Sequence, residues 1–91
     1  MSGGEAKRVQ AFILLEAKPG KALGVSRQIA KIPGVRASYA VTGPFDVIVH
    51  AEAPDFKSIA QLVVVKIQAL TSVARTLTCI VVQGGEEGGE Q

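Results

Sequence analysis

The residues of this sequence that are able to do chemistry are few, and they do not form a recognisable catalytic motif. His50 is the only histidine and Cys79 the only cysteine, so the chain lacks the ligands of a four-coordinate zinc or iron–sulfur site. No serine or cysteine close to His50 in the sequence forms a nucleophile–base motif with it. We therefore expect His50 to lie on a strand surface or in an interface, and Cys79 to be a small core residue. The sequence predicts no metal, no cofactor and no enzymatic activity.

Patterns that bind phosphate or nucleic acid are also missing from the sequence. The segment Gly20–Gly24 begins a predicted helix but lacks the Gly-Lys-Ser/Thr ending of a phosphate-binding loop. Ten Lys and Arg against eight Asp and Glu give a net charge of +2, and between Arg8 and Val82 the basic residues are scattered singly, without aromatic residues between them for base stacking. We expect no direct contact with nucleic acid.

Neither membrane insertion nor export is indicated. The longest apolar runs, Ala11–Leu15 and Leu62–Val65, are far shorter than the ~20 residues that cross a bilayer. The N-terminus carries mixed charge and no signal-peptide pattern, so we expect a cytoplasmic protein that does not contact membranes. Residues 1–7 and 84–91 are poor in apolar residues, and the Gly-rich tail is acidic. We expect both ends to be disordered and residues 8–83 to form one domain.

Two halves of similar pattern make up the predicted domain, each with a strand, a helix and a second strand. The apolar spacing of the helices, the Pro-Gly and Pro-Asp signals at their ends and the β-branched runs define six segments. They are strand Val9–Ala17, helix Gly20–Ile32, strand Val35–Thr42, strand Asp46–Ala53, helix Asp55–Leu70 and strand Arg75–Gln83. The segment Thr42–Asp46 joins the halves as an antiparallel hairpin. This order predicts an α+β, ferredoxin-like βαββαβ fold with two helices on one face of a four-stranded antiparallel sheet.

The predicted strands have apolar side chains on both faces. Phe12–Leu15, Val47–Val49 and Ile80–Val82 do not alternate as strands with one wet face do. A domain of this size has a small core, and oligomerisation is a common way to stabilise it. We therefore expect a homodimer in which the sheets of two copies face each other. Val64 and Val65 add apolar surface to the second helix and predict a further subunit contact.

Several motifs resemble the effector-sensing (RAM) domain of the Lrp/AsnC transcription regulators. The similarity covers about residues 8–83, and its most specific part is the hairpin Val41-Thr42-Gly43-Pro44-Phe45-Asp46, which matches V-T-G-x-(F/Y)-D. The final strand, Thr76–Val82, matches T-x-T-x-(I/V)-V, and Ile32–Val35 continues the likeness. The resemblance implies a domain that usually follows a DNA-binding helix-turn-helix. Residues 1–7 leave no room for that unit, so we expect a stand-alone sensing module.

The resemblance also implies an assembly and a ligand. Dimers of this family associate, typically four at a time as an octamer, and bind a small amino-acid effector at the interfaces between dimers. Carried onto this sequence, the ligand site consists of Thr42, Gly43, Phe45, Asp46, Thr76 and Thr78. The implied partners are the effector, further copies of the chain and full-length Lrp/AsnC regulators.

The residue types suit such a site, but each has an alternative role. A carboxylate pairs with an α-ammonium group, and glycine allows close approach to the backbone. Gly43 and Asp46 are equally suited to forming the turn, and Thr76 and Thr78 are good strand formers. Two other functions remain open at this point: a small ferredoxin-like dimeric enzyme, and a structural partner that has lost its ligand pocket.

Overall fold

The computed structural model describes residues 8–82 and has the predicted order of elements. They are β1 (Val9–Ala17), α1 (Ala22–Ala30), β2 (Val35–Ala40), β3 (Val47–Ala53), α2 (Phe56–Gln61), a π-helical segment (Leu62–Ile67) and β4 (Val73–Ile80). The four strands form one antiparallel sheet in the order β2-β3-β1-β4. The predicted ferredoxin-like fold is confirmed. The predictions of disorder for residues 1–7 and 84–91 lie outside the described residues.

One face of the sheet carries the core. Residues paired across an antiparallel sheet point to the same side, and successive residues alternate between sides. Ile13 is therefore on the same face as its partners Val49 and Thr78, and Leu15 on the same face as Val47. This face is covered by the two helices. The buried core comprises Ala11, Ile13, Leu15, Val25, Ile29, Val47, Val49, Ala51, Ala53, Ile59, Leu62, Val63 and Ile67.

The first helix is shorter than predicted, and its ends follow local chemistry. It begins at Ala22 rather than Gly20, because Gly20 has φ +75° and lies in the preceding turn. It ends at Ala30, ahead of the Pro33-Gly34 turn in which Gly34 has φ +97°. A positive φ at these two turns favours glycine over residues with a Cβ. The helix thus fits between two glycine-containing turns.

The second helix departs from the prediction of one regular helix over Asp55–Leu70. Asp55 caps it as expected, since its Oδ1 accepts the Ser58 backbone N–H at 2.8 Å. After Gln61 the backbone widens to π-helix, and the Gln68 N–H donates to the Val63 carbonyl, five residues back, at 2.8 Å.

The outer face of the sheet, opposite the helices, is exposed and largely apolar. Phe12, Tyr39 and Leu77 retain 42%, 59% and 48% of their accessible surface there. Cys79 pairs with Phe12 on the same face and is exposed. The prediction that Cys79 is a core residue is therefore wrong, because the helices cover the opposite face of β4. Within residues 8–82, no helix combines the length and apolarity needed to cross a membrane.

Candidate functional site

The β2–β3 hairpin presents an open backbone at one end of the sheet. The Val41 N–H donates to the Asp46 carbonyl at 2.8 Å and closes the hairpin. Gly43 has φ +139°, and a Cβ built there would have no neighbour within 4 Å. Thr42 is exposed and Phe45 is half-buried. The loop conformation therefore requires glycine, and the space beside it is free for a ligand to approach the backbone.

Asp46 fastens this hairpin to the neighbouring strand. Its Oδ2 accepts the Ala17 N–H at 2.8 Å, and its own N–H donates to the Leu15 carbonyl at 2.8 Å. The carboxylate thus has a structural role at the end of β1. A carboxylate has about four acceptor positions, so one backbone hydrogen bond leaves capacity for a cationic ligand group.

Thr76 and Thr78 lie on the helix side of β4, two residues apart. Thr76 is opposite Leu15, and its Oγ1 accepts a hydrogen bond from Gln68 Nε2 at 2.8 Å. Thr78 is opposite Ile13 and is exposed. Because β4 is an edge strand, both threonines lie at one edge of the sheet. The predicted shared face of the two threonines is confirmed.

An apolar groove of about 340 Å³ runs between the second helix and β4. It is lined by Phe56, Ile59, Ala60, Val63, Val64, Thr78 and Ile80. Sequence reasoning did not predict this groove. The sequence feature that points to the groove is the surplus apolar surface of the valine run. From the sequence alone, that surface predicts only a subunit contact.

The six predicted site residues form two groups that do not meet within one protomer. Leu15 of β1 pairs with Val47 on one side and with Thr76 on the other. Two interstrand spacings therefore separate the strand after the hairpin from Thr76, a distance of about 10 Å. Thr42, Gly43, Phe45 and Asp46 are brought together at the hairpin. Thr76 and Thr78 belong to a second surface on β4, where Thr78 lines the α2–β4 groove and Thr76 contacts Gln68.

The outer face carries two polar clusters among its apolar residues. Glu52 forms ion pairs with Arg36 and Arg8, the latter at 3.0 Å. The hydrogen bond from Arg36 is the largest cause of a lowered pKa of the Glu52 carboxyl, and the charge of Arg8 acts in the same direction. His50 Nε2 lies 2.6 Å from Gln10 Oε1, and the imidazole stacks on Phe12 with 4.8 Å between the ring centroids.

These contacts give His50 no nucleophile and no acid as a partner, so they do not favour the alternative of a small enzyme. In the part of the chain that the structure describes, no three His, Cys, Asp or Glu side chains are grouped so as to hold a metal ion. The groups present at the hairpin and the groove can form hydrogen bonds, charge pairs and apolar contacts with a ligand.

Comparison with known families identifies this arrangement. Residues 10–87 match the model of the Lrp/AsnC ligand-binding domain. The chain belongs to the Lrp/AsnC family. An uncharacterised helix-turn-helix-type transcriptional regulator of Pyrococcus furiosus is 32% identical over 73 residues, which cover 77% of this chain and 49% of that protein. This Lrp/AsnC chain thus spans about half the length of the curated relatives it matches.

Solved structures share the same fold. The protein TTHA0845 from Thermus thermophilus is 28% identical with a TM-score of 0.79, covering 84% of this chain and 95% of that one. FFRP-DM1 is 32% identical with a TM-score of 0.77, covering 81% and 99%. A complex of the Neisseria meningitidis transcriptional regulator NMB0573 with L-methionine has the same fold at 22% identity, with a TM-score of 0.74 and coverage of 82% and 50%.

Proposed function

We propose that this Lrp/AsnC domain is a non-catalytic sensor that binds a small amino acid and responds through its assembly. The observation that carries the proposal is the hairpin, where the open backbone at Gly43 adjoins the Asp46 carboxylate. An α-ammonium group would pair with Asp46, and an α-carboxylate would accept hydrogen bonds from backbone N–H groups of the loop. The L-methionine complex of NMB0573, a protein of the same fold, supports the class of ligand.

Sheet-to-sheet dimerisation is the first level of the proposed assembly. Phe12, Tyr39 and Leu77 are large side chains left half-exposed on one continuous face, and water contact there is unfavourable. A second copy would cover the same residues with its own outer face, in the self-complementary manner of a two-fold dimer. The stacked His50 and the Glu52 ion pairs would lie in this interface.

The second level of the proposed assembly is the association of dimers with each other. The family resemblance implies that this association reaches an octamer. An amino acid is too small to bridge the hairpin and Thr76 across β1 in one protomer. The two groups of predicted residues would therefore complete one site only between copies, with the hairpin of one copy facing Thr76 and Thr78 of another. Ligand bound at such a seam favours the assembled state, which is a population shift.

We propose that the domain acts in the cytoplasm. It would act through contacts with other proteins and not by contacting DNA itself. Relatives that carry the domain as half of their length are named as helix-turn-helix-type regulators. The outer face that pairs two copies of this chain would also pair it with such a regulator. Co-expression with a tagged relative, followed by co-purification, would test this partner.

Thermal unfolding in the presence of each of the twenty amino acids tests the proposed function. A ligand at 100 times its Kd stabilises the folded state by about 2.7 kcal/mol, so at least one amino acid should raise the Tm measurably. Asp46→Asn keeps an acceptor for the Ala17 N–H and removes the charge. Asp46→Asn should abolish the ligand-induced rise in Tm and leave the Tm of the ligand-free protein nearly unchanged. Asp46→Ala should lower the ligand-induced rise and also the Tm of the ligand-free protein. No response to any amino acid would refute the proposed function.

A further inference from the structure

The outer face of the sheet has an apolar centre between two charged ends. At one end Glu16 pairs with Arg75 at 3.8 Å. At the other end Glu52 forms its ion pairs with Arg8 and Arg36. The centre comprises Phe12, Leu14, Tyr39, Ile48, Leu77 and Cys79. An apolar centre with a charged rim is typical of protein–protein interfaces, and each end carries both signs of charge, so the face can pair with a second copy of itself.

His50 lies in this apolar centre. It is opposite Phe12 on β1, on which its ring stacks, and opposite Ala37 on β2. Its Nε2 lies 2.6 Å from Gln10 Oε1. Because an amide oxygen only accepts hydrogen bonds, Nε2 donates in this contact, and Nδ1 is the atom that a second proton would occupy. A second copy laid over the centre of the face would cover the imidazole ring.

The carboxylate nearest to His50 along its own strand is already neutralised. Glu52 is the next residue of β3 on the same face, about 6.7 Å along the strand from His50. Its two oxygens are bound by Arg36 and Arg8. This cluster therefore carries two positive charges and one negative charge. Its net charge opposes protonation of a nearby imidazole instead of favouring it.

The other polar groups of the outer face are distant or neutral. Glu16 lies four residues beyond Phe12 on β1, about 13 Å along the strand, and is paired with Arg75. Tyrosine and cysteine side chains are ordinarily neutral at pH 7.5 and below, so Tyr39 on β2 and Cys79 on β4 provide no negative charge. Within residues 8–82, the outer face offers a protonated His50 no free counter-charge.

We propose that the outer face is a pH-dependent dimer interface, in which His50 of each copy must be neutral for two copies to pair. The inference rests on the proposed function, because it assumes the sheet-to-sheet dimer, and it adds regulation of that dimer by protons. Burying a charge among apolar groups without a partner is strongly unfavourable. In acid each copy must therefore release a proton from His50 before it pairs, so the dimer is favoured near neutral pH and weakened as the pH falls through the range in which imidazole ordinarily becomes charged.

Sedimentation equilibrium of the full chain at pH 7.5 and pH 5.5, without added amino acids, tests the proposal. The Kd of the wild-type dimer should be about 10- to 100-fold larger at pH 5.5, because each of the two His50 side chains contributes up to about tenfold per pH unit. His50 is the only histidine of the chain, so His50→Gln removes the titrating group and keeps a partner for Gln10. His50→Phe keeps the stacked ring instead. Both variants should dimerise with a Kd that changes by less than about twofold between the two pH values.

Dilution calorimetry of the wild type tests the same linkage without a variant. Measured at pH 6 in two buffers of different ionisation heat, dissociation of the dimer should take up protons from the buffer. Absence of proton uptake, or a wild-type dimer equally tight at both pH values, would overturn the role of His50 and leave the sheet-to-sheet dimer standing. Variants that lose affinity in acid as steeply as the wild type would overturn it too. A chain that is monomeric at both pH values would overturn the proposed dimer as well.

Discussion

The outer face of the sheet gives the sharpest prediction about assembly. Leu77 lies on β4 opposite Leu14, on the face that the helices do not cover, and retains 48% of its accessible surface. Leu77→Thr replaces an apolar side chain with a polar one that is still a good strand former, so the sheet itself should be preserved. The variant should fold and dimerise more weakly.

The size of the effect follows from the exposed fraction. Burying a leucine side chain completely contributes about 1.5–3 kcal/mol. Since 48% of Leu77 remains exposed, its burial under a second copy would contribute about 0.7–1.4 kcal/mol. A two-fold interface contains the residue twice, so the dimer would lose about 1.4–2.9 kcal/mol, or about 10- to 130-fold in Kd.

Sedimentation equilibrium without added amino acids would measure this Kd. Leu23→Thr is the matched control, because Leu23 is a leucine with 55% exposure that lies on α1, away from the outer face. The control should leave the dimer Kd within about twofold, whatever it does to the stability of the helix. A Leu77→Thr dimer as tight as the wild type, or a wild-type chain that sediments as a monomer, would refute the sheet-to-sheet dimer.

Two further predictions concern the folded state itself. Gly43→Ala should lower the free energy of unfolding by about 1–2 kcal/mol, because φ is +139° at Gly43 and an alanine would be strained there although there is space for its methyl group. A denaturation midpoint equal to that of the wild type would contradict this strain. Hydrogen bonds from Ser58 lower the pKa of Asp55, as the hydrogen bond from Arg36 lowers the pKa of Glu52. The stability that these two carboxylates contribute is present above their ordinary pKa values of 4.5 and 3.8, and it is lost as the pH falls through their lowered folded-state values. The urea midpoint of unfolding should decrease as the pH is lowered from 6 to 2. The double variant Glu52→Gln, Asp55→Asn should show a smaller decrease. A decrease as steep as that of the wild type would contradict the contribution of these two carboxylates.

The fold could be predicted from local signals because those signals agree with each other. The Pro33-Gly34 turn ends the first helix, Asp55 caps the second, and the hairpin around Gly43 joins two β-rich runs. The predicted boundaries differ by two or three residues where the turn chemistry of Gly20 or the end of β4 decides them. Such ends depend on hydrogen bonds that sequence spacing alone does not specify.

The site was less predictable, because it depends on which face each side chain takes. Cys79 and Thr78 are neighbours in one strand, but the pairing with β1 places Cys79 on the outer face and Thr78 beside the groove. Shifting the register by one residue would exchange them. The groove itself depends on the π-helical path of Leu62–Ile67, which the valine run does not announce in the sequence.

The contacts of Asp46 suggest how ligand binding and assembly would be coupled. Its Oδ2 holds the hairpin to the Ala17 N–H at the end of β1, and β1 carries Phe12 on the outer face where the dimer is proposed to form. A ligand that pairs with Asp46 and also contacts a neighbouring copy must stabilise the assembly by the same factor by which assembly tightens ligand binding, because the two equilibria are linked. The seam is proposed to join dimers, and those dimers form through the outer face. Splitting the dimers through Leu77→Thr should therefore also remove seams and weaken the affinity for the amino acid, even though Leu77 lies on neither the hairpin nor the groove.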